Sequence, residues 1–159
     1  MRNLRILVTA LSALLILANC SATPTPTAAP EPAEVGRASS ADLACLAEAI
    51  YFEARGTGPV GTEAVAHVVV NRAKNPKFPN SVCGVVSDRC QFSYRCDGRP
   101  DNLANSDDRE KAFRTAQTVL AGAPDITKGA LFFHAASMPP GWFNTRARVG
   151  KFGGNVFYR

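Results

Sequence analysis

Histidine is scarce: the 159-residue chain has two, His67 and His134, and no H-E-x-x-H pair. A zinc hydrolase needs three protein ligands, so a metal-dependent amidase is disfavoured and no metal or other cofactor is expected. No basic run is interleaved with aromatics, which leaves nothing for a nucleic acid to recognise. Internal repeats are absent. The longest apolar run, Ile6-Leu-Val-Thr-Ala-Leu-Ser-Ala-Leu-Leu-Ile-Leu-Ala18, is short for a membrane span and follows Arg2 and Arg5, the pattern of an export signal. An uncleaved membrane anchor is the alternative. Tryptophan occurs once, at Trp142.

Five cysteines make an odd total, and setting Cys20 aside at the end of the export signal leaves four that can pair. Cys45, Cys83, Cys90 and Cys96 allow three connectivities, among which those joining Cys45 to a later cysteine include every choice. The C-x6-C-x5-C spacing is not one of the standard structural zinc spacings, and an exported chain meets an oxidising compartment. Leu17-Ala-Asn-Cys-Ser21 resembles a bacterial lipobox, in which Cys20 would carry a lipid; Asn19 departs from that pattern, and ordinary cleavage after Cys20 or Ala22 is the alternative. Contact with a membrane is expected only through that lipid. Without Arg2 and Arg5, the remaining 16 basic and 13 acidic side chains leave a small positive excess suited to an anionic envelope polymer.

The domain plan is an export signal over residues 1–20, a tether over 21–40 and a folded domain over 41–159. Pro24, Pro26, Pro30 and Pro32 among Ala and Thr make the tether too poor in apolar residues to bury a core. Ser39 and Asp42 mark the start of a first helix over residues 41–55, stopped by Gly56. Gly56-Thr-Gly-Pro-Val-Gly61 is expected to be a turn, followed by a helix over 62–74 with a valine core face and a packed His67. The cysteine-rich stretch 81–97 is expected to be a stapled loop, and 107–121 a helix whose first turn is acidic. Ala130-Leu-Phe-Phe-His-Ala135 and Asn155-Val-Phe-Tyr-Arg159 read as two antiparallel strands. These elements predict an α+β domain, mainly helical, with a small antiparallel β element.

Glu53 is the candidate acid. At 100° per residue, Leu43, Leu46, Ile50 and Glu53 fall within roughly 80° of one another, so the carboxyl borders the helix's apolar stripe, whereas Glu48 points away. Partial desolvation and the negative end of the helix dipole both favour the protonated form that a general acid needs. A salt-bridged or solvated carboxylate at a frayed helix end is the competing reading.

The sequence resembles the cell-wall hydrolase family typified by the spore cortex-lytic enzyme. The resemblance is carried by Ala47-Glu-Ala-Ile-Tyr-Phe-Glu-Ala-Arg-Gly56, Ala64-Val-Ala66 with Val70-Asn-Arg72, Phe78-Pro-Asn-Ser-Val-Cys-Gly-Val-Val86, Cys90-Gln-Phe-Ser93 with Cys96-Asp-Gly98, Phe133-His134 and Val156-Phe-Tyr-Arg159. It implies a lysozyme-like fold, an exported protein of the periplasm or envelope, and glycan strands of peptidoglycan as substrate. It also implies that Glu53 is the acid cleaving the MurNAc–GlcNAc bond, as a lytic transglycosylase leaving 1,6-anhydro ends or as a hydrolytic muramidase. The hydrolytic route calls for a second carboxylate such as Asp97 or Asp101. A non-catalytic peptidoglycan-binding module is the remaining alternative. Tyr51, Arg55, Gln91, Ser93, His134, Trp142 and Tyr158 are the expected substrate contacts, each of which has an ordinary packing or loop-stabilising alternative. Thr57, Thr62 and Asn155 depart from the family pattern, where glutamate, glutamine and histidine are usual; an amide at Asn155 cannot titrate near neutrality.

Overall fold

The computed structural model describes residues 39–159; the expected export signal, the tether up to residue 38 and Cys20 lie outside them. The elements are α1 (Ser40–Glu53), α2 (Gly58–Ala73), α3 (Val82–Val86), α4 (Ser106–Leu120), β1 (Phe132–Ala135), β2 (Arg148–Phe152) and β3 (Asn155–Tyr158), with short 3-10 turns at Ser93–Cys96 and Phe143–Thr145. Among the described residues no helix is long and apolar enough to cross a membrane.

α1 begins where the sequence signals it, because the Ser39 hydroxyl accepts a hydrogen bond from the Asp42 N–H at 3.0 Å. It is more deeply embedded than a single apolar stripe implies. Leu46, Ala47, Ala49, Ile50, Tyr51 and Ala54 are all buried, since α1 packs against α2, α3 and α4 together. Alanines at the contacts let the backbones approach, and Val65, Val68 and Val69 of α2 with Ala112 and Ala116 of α4 complete the core.

Two expectations about α2 and the sheet need correction. The stretch expected as a turn, from Gly58 onward, is the first turn of α2: Pro59 sits at the helix start, where its missing N–H has no intrahelical partner to lose. A strand the sequence did not announce, β2, adds to the expected pair. β3 is central, in the order β1-β3-β2, and both pairings are antiparallel, with Phe133 opposite Phe157 and His134 opposite Val156. β2 carries two cations and a glycine over five residues and a register irregularity between Arg148 and Gly150, features of an edge strand.

The sheet has two faces of different use. Phe157 is fully buried and stacks on Phe133 at 5.5 Å, joining the sheet to the helical core. On the alternate positions Phe132, His134 and Tyr158 point the other way. The β2–β3 turn docks on α2 by backbone contact: a Cβ at Gly61 would lie 2.9 Å from the Gly153 Cα and 2.6 Å from the Thr57 Cβ. At Gly153, with φ +53°, an added Cβ would overlap the Thr57 carbonyl oxygen, so only glycine fits.

Two disulfides form. Cys45 of α1 is bonded to Cys83 of α3, as one of the expected pairings had it, and Cys90 to Cys96 around the Gln91–Ser93 segment.

Candidate active site

Glu53 is the last residue of α1 and is half-buried. Its carboxyl makes no hydrogen bond or ion pair with any described residue. Burial pushes its pKa above the ordinary glutamate value, and the Arg72 guanidinium partly opposes that rise. Glu48 behaves differently. Its Oε1 accepts from Arg95 Nη1 at 3.0 Å, so it is a held, ion-paired carboxylate and not part of a solvated helix back.

Arg72 is the residue whose role the sequence did not reveal. It ends α2 and is only 3% exposed. Its Nε donates to the Leu131 carbonyl at 2.8 Å, and its guanidinium lies 5.4–5.9 Å from the rings of Phe78, Phe92 and Phe132. Burial lowers its pKa to about 10, with Glu53 the foremost opposing charge. Asn71 beside it donates to Asp125 and to the Ala130 carbonyl, fixing the approach to β1. Thus one helix end ties the neighbourhood of the acid to the sheet. An arginine in the last turn of a valine-rich helix is the sequence signal; Phe78 follows six residues later, but Phe92 and Phe132 come from distant segments and are not visible locally.

Phe92, 2% exposed, stands between Gln91 and Ser93, which are both exposed. Since Phe92 packs on Arg72, the Cys90–Cys96 loop presents these two polar side chains on either side of an anchored ring. Arg89 and Cys90 adopt positive φ at the loop's entry.

His134, Trp142 and Tyr158 come together as one cluster. The imidazole stacks on Tyr158 at 5.4 Å, and the indole meets both edge-on at 5.8 and 5.6 Å. His134 Nδ1 is 2.8 Å from the Ala135 carbonyl and Nε2 is 3.0 Å from the Tyr158 hydroxyl. A carbonyl only accepts, so Nδ1 carries a proton, and in the neutral imidazole Nε2 accepts from the tyrosine. Arg146, also unannounced by the sequence, lies 3.4 Å above the Phe132 ring and 5.4 Å from Trp142, extending the wall with a cation.

Tyr51 and Arg55 do not share the environment of Glu53. Tyr51 is 3% exposed, and its hydroxyl accepts from Arg55 Nη2 at 3.0 Å and from the Asn105 N–H at 3.1 Å. The latter bond, aided by Arg55, holds the phenol below its ordinary pKa against the effect of burial. Both residues line a cleft against α4 whose lining does not include Glu53. Asp101 is occupied by Arg95 at 3.1 Å, and Asp97 accepts from the Arg99 N–H at 2.9 Å.

Known proteins similar in sequence and fold are consistent in kind. The spore cortex-lytic enzyme of Halalkalibacterium halodurans is 32% identical over 123 residues, covering 75% of this chain and 35% of that protein. That of Bacillus subtilis is 30% identical over 122 residues, covering 77% and 39%. The chain thus spans well under half the length of these relatives. The catalytic domain of the germination-specific lytic transglycosylase SleB from Bacillus anthracis superposes with a TM-score of 0.66 at 31% identity, covering 77% of this chain and 97% of that one. The catalytic domain of the Bacillus cereus SleB protein matches at the same TM-score and identity and is covered to 93%. The described residues therefore have the lysozyme-like α+β fold expected for them. The pattern of the cell wall hydrolase family matches residues 56–158, beginning just after Glu53 and taking in Arg72, the Gln91–Ser93 loop and the aromatic cluster, and the chain belongs to that family.

Proposed function

We propose that the protein cleaves the glycan backbone of peptidoglycan at the MurNAc–GlcNAc bond, with Glu53 as general acid and then general base. The observation that carries this reading is the state of Glu53: partly desolvated, without a hydrogen-bond or ion-pair partner among the described residues, and pushed towards the protonated form at the end of α1. Glu53 donates its proton to the glycosidic oxygen as the C1–O bond breaks and positive charge develops at C1. The carboxylate then takes the proton of the muramyl C6 hydroxyl, whose oxygen bonds to C1. The products are a free GlcNAc 4-hydroxyl and a 1,6-anhydro-MurNAc end, and Glu53 is again protonated. No second carboxylate enters, which agrees with Asp97 and Asp101 being engaged elsewhere.

Arg72, fixed by the Leu131 carbonyl and three aromatic rings, stabilises the carboxylate form between the two proton transfers. The half-buried rings of His134 and Trp142, backed by the buried Tyr158, offer faces and edges to a sugar, and Gln91 and Ser93 offer amide and hydroxyl groups to its hydroxyls. Such a substrate calls for an exported, envelope-associated enzyme, with lipidation of Cys20 as one route to retention there.

Digestion of purified sacculi with product mass spectrometry tests the reading. The expected products are muropeptides with 1,6-anhydro ends, absent with Glu53→Gln. Reducing ends bearing an added water would make the enzyme a hydrolytic muramidase. Saturable binding without soluble products would make it a binding module.

A further inference from the structure

The end of α1 has a second open side. A cleft of about 700 Å³ lies between the end of α1, the first turn of α2 and α4. That is within the size range of small-ligand sites, roughly 300–1,000 Å³. Ile50 and Ala54 give it an apolar floor, while Arg55, Lys111 and Arg114 outnumber the single carboxylate of Asp108 in its lining. Lys111 lies 3.8 Å from Asp108 and Arg114 pairs with Glu110, so those two charges are partly offset. Arg55 is not offset: its described polar contact is the neutral Tyr51 hydroxyl, and no described carboxylate lies within ion-pair distance. The backbone along the same edge is bare. Gly56 and Gly58 have φ of +72° and +68°, and a Cβ at either would meet nothing within 4 Å.

Sugar rings are uncharged and seek open aromatic faces, and the one ring lining this cleft, Tyr51, is 3% exposed and has the Arg55 guanidinium over it at 5.0 Å. Cations over an apolar floor, beside open glycine backbone, instead match an extended, carboxylate-bearing peptide with short aliphatic side chains. Peptidoglycan carries such peptides on its muramyl residues. Because Arg55 and Glu53 are two residues apart at one helix end, one strand can reach both sides of α1 at once.

We propose that this cleft is a peptide-stem subsite, in which Arg55, Lys111 and Arg114 hold the stem's carboxylates while the glycan lies against Glu53. The proposal rests on the glycan-cleavage reading above and adds to it a preference for strands that retain their peptides.

The test is calorimetric titration of the full chain with the soluble tripeptide L-Ala-γ-D-Glu-meso-diaminopimelate at low salt. Lys111 and Arg114 side chains are 65% and 63% exposed, so Lys111→Gln with Arg114→Gln removes charge without disturbing the core, and its melting temperature is read in parallel. The tripeptide is expected to bind, the double variant to bind it at least fivefold more weakly, and Asp108→Asn to bind it more tightly. Opposite effects from opposite charges are not produced by a general loosening of α4. Absence of binding, equal affinity in all three proteins, or displacement by inorganic phosphate at equal concentration would overturn the proposal. If Glu53→Gln digests sacculi normally while these titrations hold, the catalytic reading fails and the stem site stands; inert Glu53→Gln with failed titrations leaves only the stem site overturned.

Discussion

Two side chains on the last turns of α1, Tyr51 and Glu53, show opposite treatment of a polar group. The Tyr51 hydroxyl is buried with two donors aimed at it, one from Arg55 and one from the Asn105 backbone. Glu53 is half-buried with no such partner, and the nearby cation of Arg72 forms no ion pair with it. A satisfied group lowers the energy of one arrangement and holds helices together. An unsatisfied, partly desolvated acid is held at a cost to the folded state and is available to a substrate. On the proposed function, the comparison separates a joint from a reagent two residues away.

The largest expected effect comes from removing the reagent. Glu53→Gln should lower sacculus digestion by ~10²–10⁴-fold or more, the range associated with losing a general acid, with its circular dichroism unchanged. Digestion within tenfold of wild type would remove Glu53 from the chemistry. Next is the frame that docks the sheet on α2. Valine at Gly153 would sit at positive φ and overlap the Thr57 carbonyl, so a loss of about 3 kcal/mol or more is expected in urea denaturation. Alanine at Gly154, where an added Cβ meets nothing, should cost only about 1 kcal/mol.

The third prediction concerns pH. Arg72 opposes the rise that burial causes in the Glu53 pKa. A general acid works while protonated, so activity falls as pH rises through its pKa; removing the cation raises that pKa. Arg72→Met should therefore move the alkaline limb of the kcat profile to higher pH, and Arg72→Lys should move it less. An unmoved limb in a folded Arg72→Met protein would disconnect the arginine from the acid. The smallest effects test the tyrosines against each other. Tyr158→Phe, which deprives His134 Nε2 of its donor, should lower kcat by up to roughly tenfold, since it loosens a wall and not the acid. Tyr51→Phe should instead cost about 1 kcal/mol of stability with kcat nearly unchanged. Reversed outcomes would exchange the two roles.

Local signals were enough for the helices and for the half-buried setting of Glu53. Ser39 capped α1 as its spacing implied, the acidic first turn of α4 was in place with Asn105 as its cap, and the two aromatic runs paired as β1 and β3. Position on the apolar border of α1 marked Glu53 because desolvation follows from helical geometry alone. What was not legible depended on partners far along the chain. β2 has too little apolar content to stand out and exists because β3 offers it an edge. Arg72 looked like a polar helix end until Phe78, Phe92 and Phe132 were brought around it. Tyr51 and Arg55 flank Glu53 in sequence, yet the 200° that two helical residues subtend turns Tyr51 to another side of α1, against α4.

The contact between Gly61 and Gly153 also limits how the molecule can move. Where α carbons meet without intervening side chains, there is no rotamer to change and no layer to shear, so the sheet cannot slide along α2 in small steps. On the glycan-cleavage reading, any widening of the groove for a cross-linked polymer is therefore left to residues 136–147, which carry Pro139, Pro140, the exposed Met138 and the indole of Trp142. On that reading the sheet is a fixed anvil held to α2 by two glycines and not by side chains.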